Sequence, residues 1–208
     1  YDLSESRVNS GRSMGDGLVN GLSGELNYFY DALGGGFKYD MSGHAGQCVE
    51  RYLTLSKQPL STLKPTSTPC IDDHQLKAED FETKGTLADE ASRIVLKALY
   101  LARLSRPDIL WAVNTLARCV TKWTVACDKR LHKLIAYIHC TQKYTQQAYV
   151  GNTASECWIA LFADASFAGD LTDSKSTTGG YLCLVGSHTF VPITWMCKKQ
   201  GAISHSSS

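Results

Sequence analysis

The 208-residue sequence predicts an α+β or α/β protein in which a helical segment precedes a three-stranded antiparallel meander. Two observations carry this. Apolar residues recur at helical spacing three times between Ile94 and Ile138, and after Gly151-Asn152 the period changes to extended alternation. Composition agrees with an ordinary globular chain: 43% hydrophobic and 20% charged residues with a net charge of +1 argue against both disorder and a membrane protein. No apolar run approaches the roughly 20 residues that span a bilayer.

The chain divides into residues 1–42, 43–150 and 151–208. The first part is rich in Gly, Ser and Asn, with Gly34 to Gly36 in a row and weak periodicity, so it is poorly defined. GRSMGDG (11–17) has a phosphate-loop look, but no strand precedes it and the P-loop Lys is absent, so it reads as a plain loop. The opening YDLSESRVNSGRS lacks the basic start and apolar centre of a secretion signal. With no initial Met and a final SHSSS, the sequence reads as an excerpt of something longer.

A short helix is expected from His44 to Lys57. Pro59, Pro65 and Pro69 then mark an extended linker into a polar, acidic stretch, Asp72 to Asp89. Three helices follow, with apolar stripes Ile94/Val95/Ala98/Leu99/Ala102, Ile109/Ala112/Val113/Leu116/Val120 and Leu131/Leu134/Ile135/Ile138. Pro107 suits a first helical position and Asp108 the positive end of a helix dipole.

Residues 91–150 carry ten Lys or Arg against two acids, a net of +8 in a nearly neutral chain. Two readings stand: a solvated basic surface, or a track for a phosphate backbone.

The meander is expected at Cys157–Ala163, Thr178–Val185 and Thr189–Cys197, the first an apolar run that reads as a buried strand. Pro192 points to an edge position for the third. Alternation puts Trp158, Ala160, Phe162 and Asp164 on one side of the first strand.

What Asp164 does is open at this level. A calcium loop is excluded, because Lys175 occupies the position of the bidentate Glu. A nucleophilic carboxylate needs a facing partner, and Asp170 and Asp173 lie in a turn that points away. A two-metal site needs several carboxylates from different elements. The plain alternative is an Asp that turns the chain after a strand.

Eight cysteines lie between Cys48 and Cys197, mostly among apolar residues and without C-x-x-C, so they read as free thiols of a reducing compartment, cytoplasmic or nuclear. Cys119, Cys127, His132 and His139 would form a metal site only by chance convergence. His205 beside serines has no evident acid partner, and Trp111, Trp123, Trp158 and Trp195 read mainly as packing.

Four segments in order, LARLSRPDILWAVNTLARCVTKWT, CDKRLHKLIAYIHCT, LFADASFAGDLTDSKSTTGGYLCLVG and ITWMCKKQGAISHSSS, resemble the Ty1/copia class of retrotransposon Pol polyproteins. The likeness covers roughly residues 38–208, across the end of the reverse transcriptase and the start of the ribonuclease H domain; residues 1–37 would fall near the end of the polymerase palm and show no Y-x-D-D pair.

The resemblance implies a helical thumb or connection segment, then a truncated ribonuclease H-like fold. It implies that Asp164 is a catalytic residue, the first of four carboxylates that bind Mg²⁺. The second, a Glu, follows a Ser-rich segment similar to SHSSS, so the chain alone is expected to hold Mg²⁺ weakly or not at all and to be inactive. In such a fold the first strand lies inside the sheet, and without a later parallel neighbour its edge stays open.

The implied partners are an RNA/DNA hybrid or template-primer duplex and the remainder of the Pol polyprotein. The phosphate contacts fall on Arg103, Arg106, Arg118, Lys122, Lys129, Arg130 and Lys133, with Lys175, Lys198 and Lys199 around the nuclease half. The alternative is a degenerate or host-adopted remnant that acts as a non-catalytic nucleic-acid-binding or interaction module.

Overall fold

A computed structural model describes residues 24–166 and 176–201. The GRSMGDG loop, Asp170, Asp173, Lys175 and His205 lie outside them.

The described elements are strands β1 (Glu25–Tyr30) and β2 (Gly35–Asp40), helices α1 (Ser42–Ser56), α2 (Ala78–Glu82), α3 (Ala91–Leu104), α4 (Leu110–Arg118) and α5 (Val125–Cys140), then β3 (Gln146–Val150), β4 (Trp158–Ser166), β5 (Thr177–Gly186) and β6 (Thr189–Lys199). The chain is α+β. The three expected helices and the three-strand meander form where the periodicity places them, and the helix expected over His44–Lys57 is α1. Lys57 ends it in the left-handed region (φ 56°).

The helices make the core. Met41 and Tyr52 from the α1 region, Ile94 and Leu101 from α3, Ile109 and Leu116 around α4, and Leu131, Leu134, Ile135 and Ile138 from α5 are buried together. Tyr52 also bonds His132 Nδ1 through its hydroxyl (2.8 Å), tying α1 to α5.

The strands form one sheet in the order β1-β2-β3-β6-β5-β4, and every described pairing is antiparallel. Residues 25–40, expected to be poorly defined, are a hairpin. Its turn is fixed by Asp31, whose Oδ1 accepts from the backbone N–H of Leu33 (2.8 Å) and Gly34 (2.9 Å) and from Tyr149 Oη (2.8 Å). Gly36 is needed opposite β3: a Cβ there would collide with the Ala148 carbonyl oxygen. The hairpin joins the meander through β3, which meets β6 only at Tyr149–Phe190 and Val150–Thr189.

Two expectations for the meander are corrected. Pro192 is not on an edge strand, since β6 lies between β3 and β5. It is accommodated because the ladder to β3 stops at Phe190 and the register against β5 shifts between Leu182 and Cys183. The apolar run of β4 is not buried either: Ile159, Leu161 and Phe162 are exposed, because β4 has only β5 as a neighbour and is the open end of the described sheet. Of the tryptophans, Trp123 is buried, whereas Trp111 and Trp158 are exposed.

Leu134→Ala should destabilise the fold by about 3 kcal/mol, as expected for a cavity in a helical core. Leu161→Ala, at a side chain left 65% exposed, should change stability by less than about 0.5 kcal/mol. Urea unfolding followed by far-ultraviolet circular dichroism measures both.

Candidate nucleic-acid interface and the Asp164 groove

Cross-strand register sets where Asp164 points. Asp164 stands opposite Gly179 and Gly179 opposite Cys197, while Phe162, Tyr181 and Trp195 form the next row. Directly opposed residues share a face, so Asp164 and Phe162 lie on the side where Trp195 and Cys197 pack against the helices. The alternation read along β4 is therefore the one the sheet adopts.

Two hydrogen bonds hold that face to the helices: Trp195 Nε1 donates to the Ala102 carbonyl (2.9 Å) and Asn114 Nδ2 to the Cys197 carbonyl (2.9 Å). Between them opens a groove of about 510 Å³, with Pro107, Leu110 and Trp111 on the helical side and Phe162, Asp164 and Tyr181 on the sheet side. Tyr181 and Trp195 stack there, ring centroids 6.0 Å apart. Asp164 is exposed and makes no hydrogen bond or ion pair among the described residues. It is not a turn-capping Asp there, because β4 continues to Ser166.

The donors do not fit a Mg²⁺ pair. No group of three or more His, Cys, Asp or Glu converges among the described residues, and one carboxylate cannot offset the repulsion of two divalent ions. The chance site considered for Cys119, Cys127, His132 and His139 is not assembled among the described residues either.

The ten basic candidates separate by environment. Arg106 is corrected outright. It is 2% exposed, and its guanidinium is occupied inside the protein: Nε and Nη2 donate to the Asp108 carboxylate (2.9 and 2.7 Å), Nη1 to the Thr141 carbonyl (2.9 Å) and Nη2 to Thr141 Oγ1 (2.7 Å). It also lies over the Tyr137 and Tyr144 rings. A phosphate cannot reach it. Asp108, in the first helical turn after Pro107 as expected, is also its counter-ion and accepts from Tyr137 Oη as well (3.0 Å).

Lys129 and Arg130 face acids from the stretch before α3. Lys129 Nζ sits 2.6 Å from Asp80 Oδ2, and Arg130 Nη2 2.6 Å from Asp73 Oδ1 with its guanidinium over the Phe81 ring. The Lys129 hydrogen bond, with the backbone N–H of Lys77, holds the Asp80 carboxyl below its usual range.

Arg103 and Lys122 are exposed and Lys133 half-buried, and none of these side chains has a hydrogen bond or ion pair among the described residues. Arg118 is exposed, touches Thr115 Oγ1 (3.3 Å) and lies near Cys197. Lys198 alternates to the sheet face opposite Cys197 and so turns away from the helices, while Lys199 is half-buried beside Thr177.

A cationic cleft apart from that groove was not anticipated. Gln47, Arg51, Arg93 and Lys97 line about 400 Å³ between α1 and α3, with Glu50 at its side; Arg93 is paired with Glu90 (2.7 Å) and Lys97 Nζ donates to Gln47 Oε1 (2.9 Å). The i,i+4 spacing of Gln47 and Arg51 beside the Arg93/Lys97 pair was the available signal; Arg51 lies outside the segment whose charge was counted.

No family model and no solved structure matches the chain. Among curated proteins it is 34% identical over 187 residues to the retrovirus-related Pol polyprotein from transposon RE1 of Arabidopsis thaliana, which takes in 88% of this chain. The chain belongs to the retrovirus-related Pol polyproteins of copia-type transposons.

This Pol segment spans 12% of the RE1 polyprotein and 10% of the RE2 polyprotein of the same plant, to which it is 32% identical over 154 residues or 74% of its own length. It is also 30% identical over 115 residues to the secreted RxLR effector protein 161 of Plasmopara viticola, covering 53% of the segment and 72% of the effector.

Arg106→Met should cost about 3 kcal/mol, because it strips a buried pair of one partner, whereas Arg103→Met should stay within about 0.5 kcal/mol. Asp80 has a lowered folded pKa, so its contribution is present above the ordinary carboxylate range and lost as the pH falls below about 4. Asp80→Asn should therefore flatten the acid limb of a stability-against-pH curve.

Proposed function

We propose that this Pol segment joins the end of a reverse transcriptase to the first strands of a ribonuclease H-like domain and holds an RNA/DNA hybrid or template-primer duplex by its phosphates. The observation that carries this is Asp164, exposed beside a groove that the helical core and the sheet share, at the position where the copia-type motif has its first metal-binding carboxylate. Arg103, Arg118, Lys122 and Lys133 supply the charge on the helical side, and Arg51 and Lys97 add to it in their own cleft. These contacts carry no base specificity. Asp164 acts in hydrolysis only with further carboxylates beside it, so the segment by itself binds without cutting, with or without Mg²⁺.

Likeness to a secreted effector favours a second reading, a non-catalytic interaction module built on the same fold. The two readings differ in their response to salt.

In the duplex reading, fluorescence anisotropy with a labelled hybrid should give an affinity that falls linearly on a log–log plot against salt, and the slope should shrink by about 0.9 for each phosphate contact removed. Arg118→Glu with Lys122→Glu should weaken binding by roughly tenfold or more at low salt, while Arg106 variants that still fold should leave the slope unchanged. A flat salt response, or no binding at low salt, would leave the interaction module. Mg²⁺-dependent cleavage of the hybrid that vanishes in Asp164→Asn would overturn the claim that the segment does not cut.

A further inference from the structure

The groove beside Asp164 has features that contacts to a duplex backbone do not use. Across the sheet, the row Asp164, Gly179, Cys197 has no side chain at its centre. Among the described residues a Cβ built on Gly179 would have only the Asp164 carbonyl oxygen within 4 Å, at 3.7 Å, apart from its chain neighbours. The next row on the same face, Phe162, Tyr181, Trp195, is aromatic throughout, with Tyr181 stacked on Trp195. Open floor over a glycine therefore lies between a carboxylate and a line of rings.

Helix α4 stands across the groove. Trp111 lines it from that side and is 50% exposed, while Phe162 on the sheet side is 60% exposed. One turn along α4, Asn114 donates to the Cys197 carbonyl (2.9 Å), which keeps this helix face against β6. Arg118 is exposed a further turn on, roughly 10 Å from Trp111 along the helix axis. One face of α4 thus offers a ring at the groove and a guanidinium beyond it. The described residues that line the groove itself bring one carboxylate and no cation.

Such a groove selects a flat ligand with hydrogen-bond donors on one edge and negative charge at its far end. Exposed rings stack on any nucleobase, and a carboxylate only accepts, with room for two donors side by side. Guanine alone among the bases presents two adjacent donors on its Watson–Crick edge, N1–H and the 2-amino group. Adenine and cytosine set a ring acceptor beside their amino group, and thymine and uracil flank N3–H with two carbonyls; a carboxylate repels each of those acceptors. That edge is free only in an unpaired strand.

We propose that the groove between α4 and the sheet holds an unpaired guanine of a single strand, stacked against the exposed Trp111 and Phe162 rings, with its N1–H and 2-amino group donating to Asp164 and Arg118 taking a neighbouring phosphate. The proposal rests on the reading of this segment as nucleic-acid-binding, and it adds a base-specific contact outside the paired region to the backbone contacts argued above. Where Asp164 shares metal ions with further carboxylates it is not open to a base, so the site belongs to the segment by itself and is tested in EDTA.

Fluorescence anisotropy of short labelled oligothymidine strands provides the test, one strand carrying a single central guanine and the other a hypoxanthine, which lacks only the 2-amino group. The guanine strand should bind roughly tenfold more tightly. Asp164→Asn should remove most of that difference, Trp111→Ala should weaken both strands by roughly tenfold, and Phe162→Tyr, which keeps the ring, should leave both unchanged. Equal affinity of the two strands for the unaltered chain, or no binding of either, would overturn the proposal, and this comparison does not depend on any variant folding. A guanine preference that survives Asp164→Asn would equally overturn it. A fully paired hybrid in the same assay separates the two ideas. Hybrid binding without a guanine preference rejects the base site and keeps the duplex reading; a guanine preference without hybrid binding does the reverse.

Discussion

The helical half of this Pol segment turns on the desolvated guanidinium of Arg106. It sits where α3 ends and the Pro107–Ile109 turn leads into α4, and it reaches across to Thr141 at the end of α5. A buried cation is costly unless its donors are met, and here one carboxylate, one carbonyl, one hydroxyl and two aromatic faces meet them. The planar fork matters, because a lysine ammonium could not address Asp108 and Thr141 in two directions at once. Four residues before it, the Ala102 carbonyl receives the Trp195 indole, so the same corner fixes the wall of the groove that Asp164 borders.

Charge counted along the chain misleads in a corresponding way. Residues 91–150 look like an unrelieved basic block, but the acidic stretch before them folds back: Asp80 reaches Lys129 and Asp73 reaches Arg130 across 49 and 57 residues. Asp128 serves a third purpose, accepting from the Thr86 N–H and hydroxyl and from Trp123. What remains for a polyanion is a smaller set of side chains. The field at the surface depends on those unpaired cations and not on the segment's formal charge.

Much of the fold was legible because it depends on period. The stripes of α3, α4 and α5 and the alternation of β4 to β6 are one-dimensional signals, and Asp164 came out on the predicted side because register preserves parity across antiparallel neighbours. The β1–β2 hairpin was legible in principle, with Asp31 and Gly34 as the turn between two aromatic-rich runs, but the three consecutive glycines masked it. Arg106 was not legible. Nothing local separates it from Arg103, and only the return of Thr141 and Tyr144 to the end of α3 makes one a core residue and the other a surface one. Pro192 misled for the same reason, since a proline marks a break in a ladder, and breaks occur at bulges inside a sheet as well as at its edges.

Strand β4 carries apolar side chains on both faces, Phe162 beside the groove and Ile159 and Leu161 on the other side, yet all three are exposed. Such a strand gains from cover on either face and from a neighbour along its open edge, and each would remove apolar surface from water at about 25 cal/mol per Å². Cover on the groove side has a condition attached. It would also desolvate Asp164, whose exposed carboxylate has no hydrogen-bond or ion-pair partner among the described residues, and a carboxylate buried without any partner costs more than the apolar contact returns. Whatever closes that face must therefore bring positive charge or hydrogen-bond donors to Asp164. Metal ions held jointly with other carboxylates meet the condition; a purely apolar partner does not.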